Sequence, residues 1–317
     1  MLPQQFQKIT TKGVVGMILA RLETGSAAWV SLLAMRMTST QAIEEYAWLG
    51  NAPALREFIG GRTPAELSEN SFKVSNKDYE GSILIKSKDM RRDKTGQIQI
   101  RVNQLADRAN DHPAKLMSNL IIAGESTVCY DGQYFFDTDH EEGKSGSQSN
   151  DIVFDISDAN TGGTPTAPTA ATIAAAILRA IQQIYTFMDD RGEPMNQGAA
   201  SFVVMVPISF MAVGLEAIYA QLTGGGNTNV LKALEGRFSI ELVPNPRLTW
   251  TDKMAVFRVD DAAKPFILQE EDIPDVIALG EGSEYEQLNK EQLFGIDWTG
   301  NVAYGYWQHA CLVTLQA

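Results

Sequence analysis

Six consecutive residues, Asp137-Thr138-Asp139-His140-Glu141-Glu142, form the one run in this 317-residue chain that resembles a metal or acid–base site. Carboxylates beside an imidazole can hold a hard or borderline cation, and such pairs also move protons. A contiguous run does not easily converge on one ion without a defined turn, and no distant second set of ligands is visible. The expectation is therefore a polar surface loop, charged because it is solvated, with a lattice calcium ion as the alternative. A metal-dependent hydrolase using Asp137 to His140 would need a pocket that brings remote polar groups to His140.

Other residues that could do chemistry lack the setting for it. Gly224-Gly225-Gly226 follows a helical stretch and runs into Asn227-Thr228-Asn229. A phosphate loop lies instead between a strand and a helix N-terminus, with Lys-Ser/Thr after the glycines. The triplet reads as a flexible turn, with Asn229 capping a short helix that ends near Gly236. His112, His140 and His309 have no zinc-type spacing, and His309 on a strand reads as a packed residue. No serine sits in a Gly-x-Ser-x-Gly setting, and Cys129 has no activating neighbour in sequence. Trp298, Tyr304, Tyr306 and Trp307 read as sheet packing and not as a base-stacking platform. The expectation is no catalytic residue, no metal ligand and no cofactor.

Composition narrows the partners. The formal charge is −13, with 26 Lys and Arg against 39 Asp and Glu. Phosphate backbones are bound mainly by Lys and Arg, so this balance argues against a general nucleic-acid binder and against a polybasic membrane-surface protein. The two cysteines, Cys129 and Cys311, are far apart and read as reduced, buried thiols. Lys8 and Lys12 precede a short apolar run, 13–20, but Arg21 and Glu23 stand where a secretory signal needs small residues for cleavage. No stretch approaches the ~20 apolar residues that span a bilayer.

The elements that would position any site follow from hydrophobic period. Residues 1–37 offer little packing surface; Leu19, Leu22, Val30 and Leu33 could line short helices interrupted at Gly25, and the segment reads as an arm that needs a partner to become ordered. From Tyr46 to Lys88 the chain alternates strand-like pieces with turn residues, too polar for a core of its own. Residues 89–124 read as a long helix, with Val102, Leu105, Ala109, Leu116 and Leu120 on one face, a kink or restart at Pro113 with Asp111 near the cap, and a stop at Gly124. Residues 126–150 are loop-like. After a 161–169 linker, Ile173, Ile177, Ile181, Ile184 and Met188 mark an amphipathic helix. Residues 202–206 form an apolar strand ended by Pro207, and Ser209 can cap the next helix. Strands are expected at 239–243, 254–259 and 266–268. At the C-terminus Phe294, Ile296 and Trp298 alternate, Thr299-Gly300-Asn301 suggests a turn, and Val302, Tyr304 and Tyr306 alternate again, so a hairpin is expected.

Particular phrases carry a resemblance. Glu45-Tyr46-Ala47-Trp48-Leu49-Gly50 with Pro53, Arg56-Glu57-Phe58 and Gly60-Gly61-Arg62 is one. Val102-Asn103-Gln104-Leu105-Ala106 through His112-Pro113-Ala114-Lys115-Leu116 is another. The strongest is Tyr130-Asp131-Gly132-Gln133-Tyr134-Phe135-Phe136-Asp137-Thr138-Asp139-His140. Together they resemble the Mu-like phage major head protein (gpT) family, and the order of parts resembles the Hong Kong 97-type capsid fold of tailed-phage shells, of class α+β.

The resemblance implies an N-terminal arm over 1–45, an E-loop hairpin over 46–87, and a P-domain with its spine helix over 88–150. It implies an α/β A-domain over 151–284 and C-terminal P-domain strands over 285–317. The implied function is a major capsid protein that assembles with itself, as pentamers and hexamers, into an icosahedral head around double-stranded DNA. A scaffold protein or protease, a portal protein and a decoration protein are the implied partners; DNA is enclosed without sequence-specific binding, and no membrane is involved. A tail or decoration protein is the rival structural reading. Some shells of this fold join subunits by a Lys–Asn isopeptide bond; Lys73, Lys77, Asn289 and Asn301 supply the ingredients, but no motif marks them, and cross-linking is not expected.

Overall fold

The computed structural model describes residues 10–25, 27–47, 71–92, 96–157, 162–222 and 228–317. The expected turn at Gly224-Gly225-Gly226 and the Trp48-to-Arg62 phrases lie outside the described residues. The chain opens with helices α1 (Thr11–Leu22) and α2 (Ala28–Leu33) and strands β1 (Ala34–Thr38), β2 (Ile43–Ala47), β3 (Ser71–Ser75) and β4 (Lys77–Lys86). Helices α3 (Ser87–Arg92), α4 (Gln97–Asn110) and α5 (His112–Ile122) follow, then β5 (Asp151–Asp155), the two-residue strands β6 (Gly163–Thr164) and β7 (Ala167–Pro168), and α6 (Ala170–Thr186). The remainder is β8 (Ser201–Val206), α7 (Met211–Tyr219), α8 (Val230–Ala233), β9 (Ser239–Pro244), β10 (Lys253–Arg258), β11 (Phe266–Leu279), α9 (Glu284–Asn289), β12 (Glu291–Tyr304) and β13 (Ala310–Gln316).

Two sheets organise the molecule. One has the order β5-β13-β10-β8-β9, the other β1-β11-β12-β4. In the first, β8, β10 and β13 are buried on both faces and therefore read as continuous apolar runs such as Phe202-Val203-Val204-Met205-Val206. Helix α6 packs Ile173, Ile177, Ile181 and Ile184 into the core of this sheet, and its Thr169 cap accepts from the Thr172 amide. Met188 lies beyond the end of α6. Asn229 caps α8 as its sequence suggests. Ser209 does not cap α7: it sits inside a 3-10 turn, Ile208–Phe210, that leads straight into the helix. The second sheet has a separate core, in which Val14, Ile18, Ile85, Ile98, Val102, Ala106, Phe294 and Ile296 meet.

Of four expectations, three are corrected and the second is met. First, residues 11–22 are not an unattached arm: α1 lays Val14 and Ile18 on α4 and the second sheet, Leu19 faces outward, and Arg21 pairs with Asp107 at 2.5 Å. Val30 and Leu33 of α2 enter the main core, and β1 pairs in parallel with β11. Second, the restart expected at Pro113 is present: the long helix is two helices broken at Asp111, because Pro113 has no amide and its ring crowds the preceding turn. Asp111 stands at the cap but makes no side-chain cap bond. The halves serve different cores: Ile98, Val102 and Ala106 face the second, whereas Ala114, Met117 and Ile121 face the first.

Third, the C-terminal hairpin at Thr299-Gly300-Asn301 does not exist. β12 runs unbroken through these residues between β11 and β4. Gly300 is needed for close approach and not for turning: a Cβ there would lie 2.5 Å from the Gln269 carbonyl oxygen and 2.6 Å from the Trp298 ring. The register against β11 slips beside it, between Glu270 and Asp272. Fourth, the strand from Lys77 to Lys86 is not wholly an excursion away from its own chain, since β4 pairs with β12 along its length and buries Ile85. The β2–β3 ribbon is a separate two-stranded sheet, yet it too packs on its own chain: Val74 is buried with Ile267 and Ala303, and Tyr46 and Phe72 lie against them. The Tyr46 hydroxyl donates to Gln269 (2.7 Å) and the Asn76 amide donates to Glu271 (2.8 Å). The boundary expected at 284/285 falls between β11 and β12, which pair with each other, and β13 lies in the sheet of β5, β8, β9 and β10.

Candidate functional site

The acidic run 137–142 is not a surface loop throughout. It splits between two environments. Asp139 and Glu141 are exposed, and Asp137 uses both carboxylate oxygens locally, accepting from the amides of Thr138 (2.7 Å) and Tyr134 (3.1 Å). His140 points the other way. It is fully buried, lies flat on the Trp307 indole with ring centroids 4.0 Å apart, and its Nδ1 is 2.6 Å from Asp131 Oδ2. The sequence expectation failed because the partners that draw His140 inward, Asp131 and Trp307, lie outside the run.

A tight turn supplies Asp131. The Cys129 amide donates to the Gln133 carbonyl (2.7 Å), and Gly132 takes a left-handed φ of 91°, open to glycine at no steric cost. The turn also brings the Cys129 thiol to Asp131 Oδ1 at 2.9 Å. Burial raises the Asp131 pKa, but the hydrogen bonds and charge of His140 outweigh it and hold the carboxylate below its usual range. Burial, then the Asp131 charge, pushes the Cys129 thiol far up, so it is a protonated donor and not a nucleophile. Cys311 is likewise buried and raised, by desolvation.

Cys129, Asp131 and His140 are the set whose potential ligand atoms come together among the described residues, all within 4.8 Å. A tetrahedral zinc ion would hold such atoms roughly 3.3 Å or more apart, given bonds of ~2.0–2.3 Å. Here Asp131 is 2.6 Å from the imidazole and 2.9 Å from the thiol, which are hydrogen-bond distances. The arrangement fits a proton-filled chain of hydrogen bonds, not a metal cradle.

Glu142 forms a second, half-buried node. Its Oε1 accepts from the Tyr130 hydroxyl (2.5 Å), the Trp307 indole N–H (3.1 Å) and the Gln308 amide (3.0 Å). Burial raises its pKa, and the bonds from Tyr130 and Trp307 partly offset that. Asn196 joins in, donating to the Gln308 carbonyl (2.9 Å) and the Ile184 carbonyl (2.8 Å) while accepting from Arg258 (2.9 Å). Arg258 in turn pairs with Asp260 (2.8 Å) and Asp261 (3.1 Å). His309 is buried beside them, and burial, then Arg258, lowers its pKa to about 4.

The geometry explains what these groups do. Residues 305–309 are the corner at which the chain leaves the four-stranded sheet at Tyr304 and enters the five-stranded sheet at Ala310. Trp307 and Gln308 are gripped from both sides by the 129–150 loop and by Asn196. The Asn150 amide also donates to the Phe135 carbonyl (2.7 Å) and the Trp307 carbonyl (3.3 Å). His140 Nε2 and both His309 ring nitrogens are buried with no hydrogen-bond partner among the described residues. Asp131, Glu142, Asn150 and Asn196, by contrast, are paired, and they make the corner rigid and specific. The Tyr130-to-His140 phrase therefore encodes a lock between two sheets.

Sequence and structure searches agree on the class. The chain resembles the procapsid protein of bacteriophage JBD30 with a TM-score of 0.53 at 20% identity, covering 96% of this chain and 75% of that one. The fold is that of phage capsid proteins, of the Hong Kong 97 type and class α+β. The particular likeness is to Mu-like major head subunits: residues 15–161 match the family described as Mu-like prophage major head subunit gpT. The Mu-like prophage FluMu major head subunit of Haemophilus influenzae is 36% identical over 131 residues, 41% of this chain and 42% of that protein. The major capsid protein of Escherichia phage Mu is 32% identical over 108 residues, 34% of this chain and 35% of that protein. The matched stretch thus spans under half of either relative's length. The family match over residues 15–161 contains the Tyr130-to-His140 lock.

Proposed function

We propose that this chain is the major capsid protein of a Mu-like phage head, associating with itself as pentamers and hexamers into a closed icosahedral shell around double-stranded DNA. The observation that carries the reading is that a capsid fold extends over nearly the whole chain while its first half matches Mu-like head subunits. Each contact in such a shell can be modest, because every subunit makes several and closure multiplies them. A rigid corner between the two sheets suits a subunit that must repeat one geometry many times. The net charge of −13 suits a wall that does not bind the DNA it encloses.

In this reading the arm (1–45), E-loop (46–87), P-domain (88–150 and 285–317) and A-domain (151–284) keep their order, but their edges move with the sheets: α1 and β4 join the body of the second sheet, and β13 the sheet of β5, β8, β9 and β10. A scaffold or protease, a portal and a decoration protein are its partners during and after assembly in the host cytoplasm. It is not an enzyme. The acid–base groups that would serve a hydrolase, the buried His140 and the half-buried Glu142, are spent on Asp131, Tyr130, Trp307 and Gln308. Nor does any helix among the described residues have the length and apolarity to cross a membrane. Sedimentation velocity on protein co-expressed with its scaffold tests the proposal: fast, homogeneous particles support it, and a chain that stays monomeric under every assembly condition refutes it.

A further inference from the structure

Two groups of charges have no ion-pair partner among the described residues. The first stands on the outer face of the four-stranded sheet. Strand register sets Asp275 opposite Asp297, and Asp297 opposite Glu80, so three carboxylates form one row across β11, β12 and β4. The next row sets Asp272 and Asp78 on either side of Thr299, whose hydroxyl donates to Asp78 at 2.9 Å. Like charges directly opposite one another destabilise a sheet. Among the described residues none of these five carboxylates has an ion-pair partner.

The second group surrounds an open cavity of about 390 Å³ at the start of α5, where Arg108, Lys115 and Arg247 line aromatic walls made by Tyr79, His112 and Trp298. None of these three cations has an ion-pair partner among the described residues either. Glu80, the end of the carboxylate row, borders this cavity together with Asp111, so the two groups adjoin and the cavity holds three cations against two carboxylates. The His112 ring registers the balance: burial first, then Lys115 and Arg247, disfavour its protonation, and its Nε2 is buried with no partner.

We propose that the two groups are counterparts across a contact between copies of this chain, the cations Arg108, Lys115 and Arg247 of one copy receiving the Asp275–Asp297 row of the next. The inference rests on the shell reading, because an assembling chain meets its own copies in fixed register. A divalent cation would neutralise the carboxylate row and leave the cavity unsatisfied, and a phosphate would do the reverse. A second copy neutralises both and relieves the cross-strand repulsion as it docks. Excluding water from such pairs strengthens them, and their range sets orientation as well as attraction.

The test is a charge swap, with wild-type assembly as the reference. Lys115→Glu with Arg247→Glu reverses the cavity, Asp275→Lys with Asp297→Lys reverses the row, and a third chain carries all four. Circular dichroism melting reports the fold, and sedimentation velocity reports assembly. Each reversal alone should cut the assembled fraction by about tenfold or more, and the four-fold variant should recover assembly. If both reversals assemble like wild type, or the combined chain assembles no better than either alone, the proposal is wrong while the shell reading stands. Wild-type protein that never assembles overturns the shell reading and this proposal with it. If chelating divalent ions disperses wild-type shells and the cavity reversal has no effect, the row holds a cation instead. Should a reversal lower the melting temperature, the neutral pairs Lys115→Gln with Arg247→Gln, and Asp275→Asn with Asp297→Asn, repeat the comparison. Both neutral pairs should weaken assembly, and the second should raise the melting temperature of the free chain.

Discussion

Replacing Asp131 with alanine tests whether the Tyr130-to-His140 phrase is a structural lock. The substitution leaves His140 Nδ1 and the Cys129 thiol without their Asp131 partner, in a site where His140 is 0% exposed. Leaving a buried polar group without its hydrogen-bond partner costs about 1–3 kcal/mol, and two groups are left here. Unfolding entropy near 2.1 cal/mol/K per residue amounts to about 0.67 kcal/mol/K for 317 residues. A loss of about 4 kcal/mol therefore lowers the melting temperature by roughly 6 °C. Asp131→Asn keeps an acceptor and forfeits charge assistance, which at about 1–2 kcal/mol lowers it by roughly 2 °C. Asp139→Ala, on the exposed side of the same run, should change stability by no more than about 0.5 kcal/mol. Differential scanning calorimetry of the three variants decides the matter. If Asp131→Ala melts with Asp139→Ala, the lock contributes nothing and the run is the solvated loop that its sequence suggests.

Further outcomes follow from particular sites. His309, held near pKa 4 by burial against an ordinary value near 6.5, binds fewer protons folded than unfolded between those values. Its contribution is therefore complete above pH ~6.5 and is lost as pH falls towards ~4. Asp151, pushed up to about 6 by burial, acts in the opposite sense over an overlapping range. The comparison must therefore be between wild type and His309→Gln, whose melting temperature should fall less steeply below pH 6.5. Parallel pH curves would show that His309 does not titrate as argued. Gly300→Ala should destabilise the chain by about 2 kcal/mol or more, because its Cβ meets a carbonyl oxygen and the Trp298 ring. Gly16→Ala, inside α1 with nothing within 4 Å, should stabilise it by about 0.5–1 kcal/mol; chemical denaturation measures both. Replacing residues 66–70 by a short Gly/Ser turn should spare the circular dichroism melt and impair assembly, and normal assembly would remove the E-loop assignment.

What was legible in the sequence depended on how local the cause was. Ile173, Ile177, Ile181 and Ile184 announce α6 because one helix face carries the whole signal, and Asn229 caps α8 through its own neighbour, the Leu231 amide. The buried run 202–206 and its stop at Pro207 were equally plain. Thr299-Gly300-Asn301 misled because a glycine chosen for close approach to Gln269 and Trp298 looks the same, in sequence, as a glycine chosen for a turn. The burial of α1 was hidden because Val14 and Ile18 find their partners on α4 and on strands more than two hundred residues away. His140 was misplaced for the same reason: its indole partner, Trp307, lies 167 positions further along the chain. A charged run alternating between solvent and a buried partner has no one-dimensional signature. The phrase was legible as a resemblance to a family before it was legible as a lock.

Electron microscopy of negatively stained particles, from cells co-expressing this chain with its scaffold, tests the central claim most directly. The capsid reading predicts closed, roughly spherical shells of uniform size, built of five- and six-membered rings of this chain. Tubes or isolated rings would indicate a tail component, and a compact monomer under every condition would contradict the assignment.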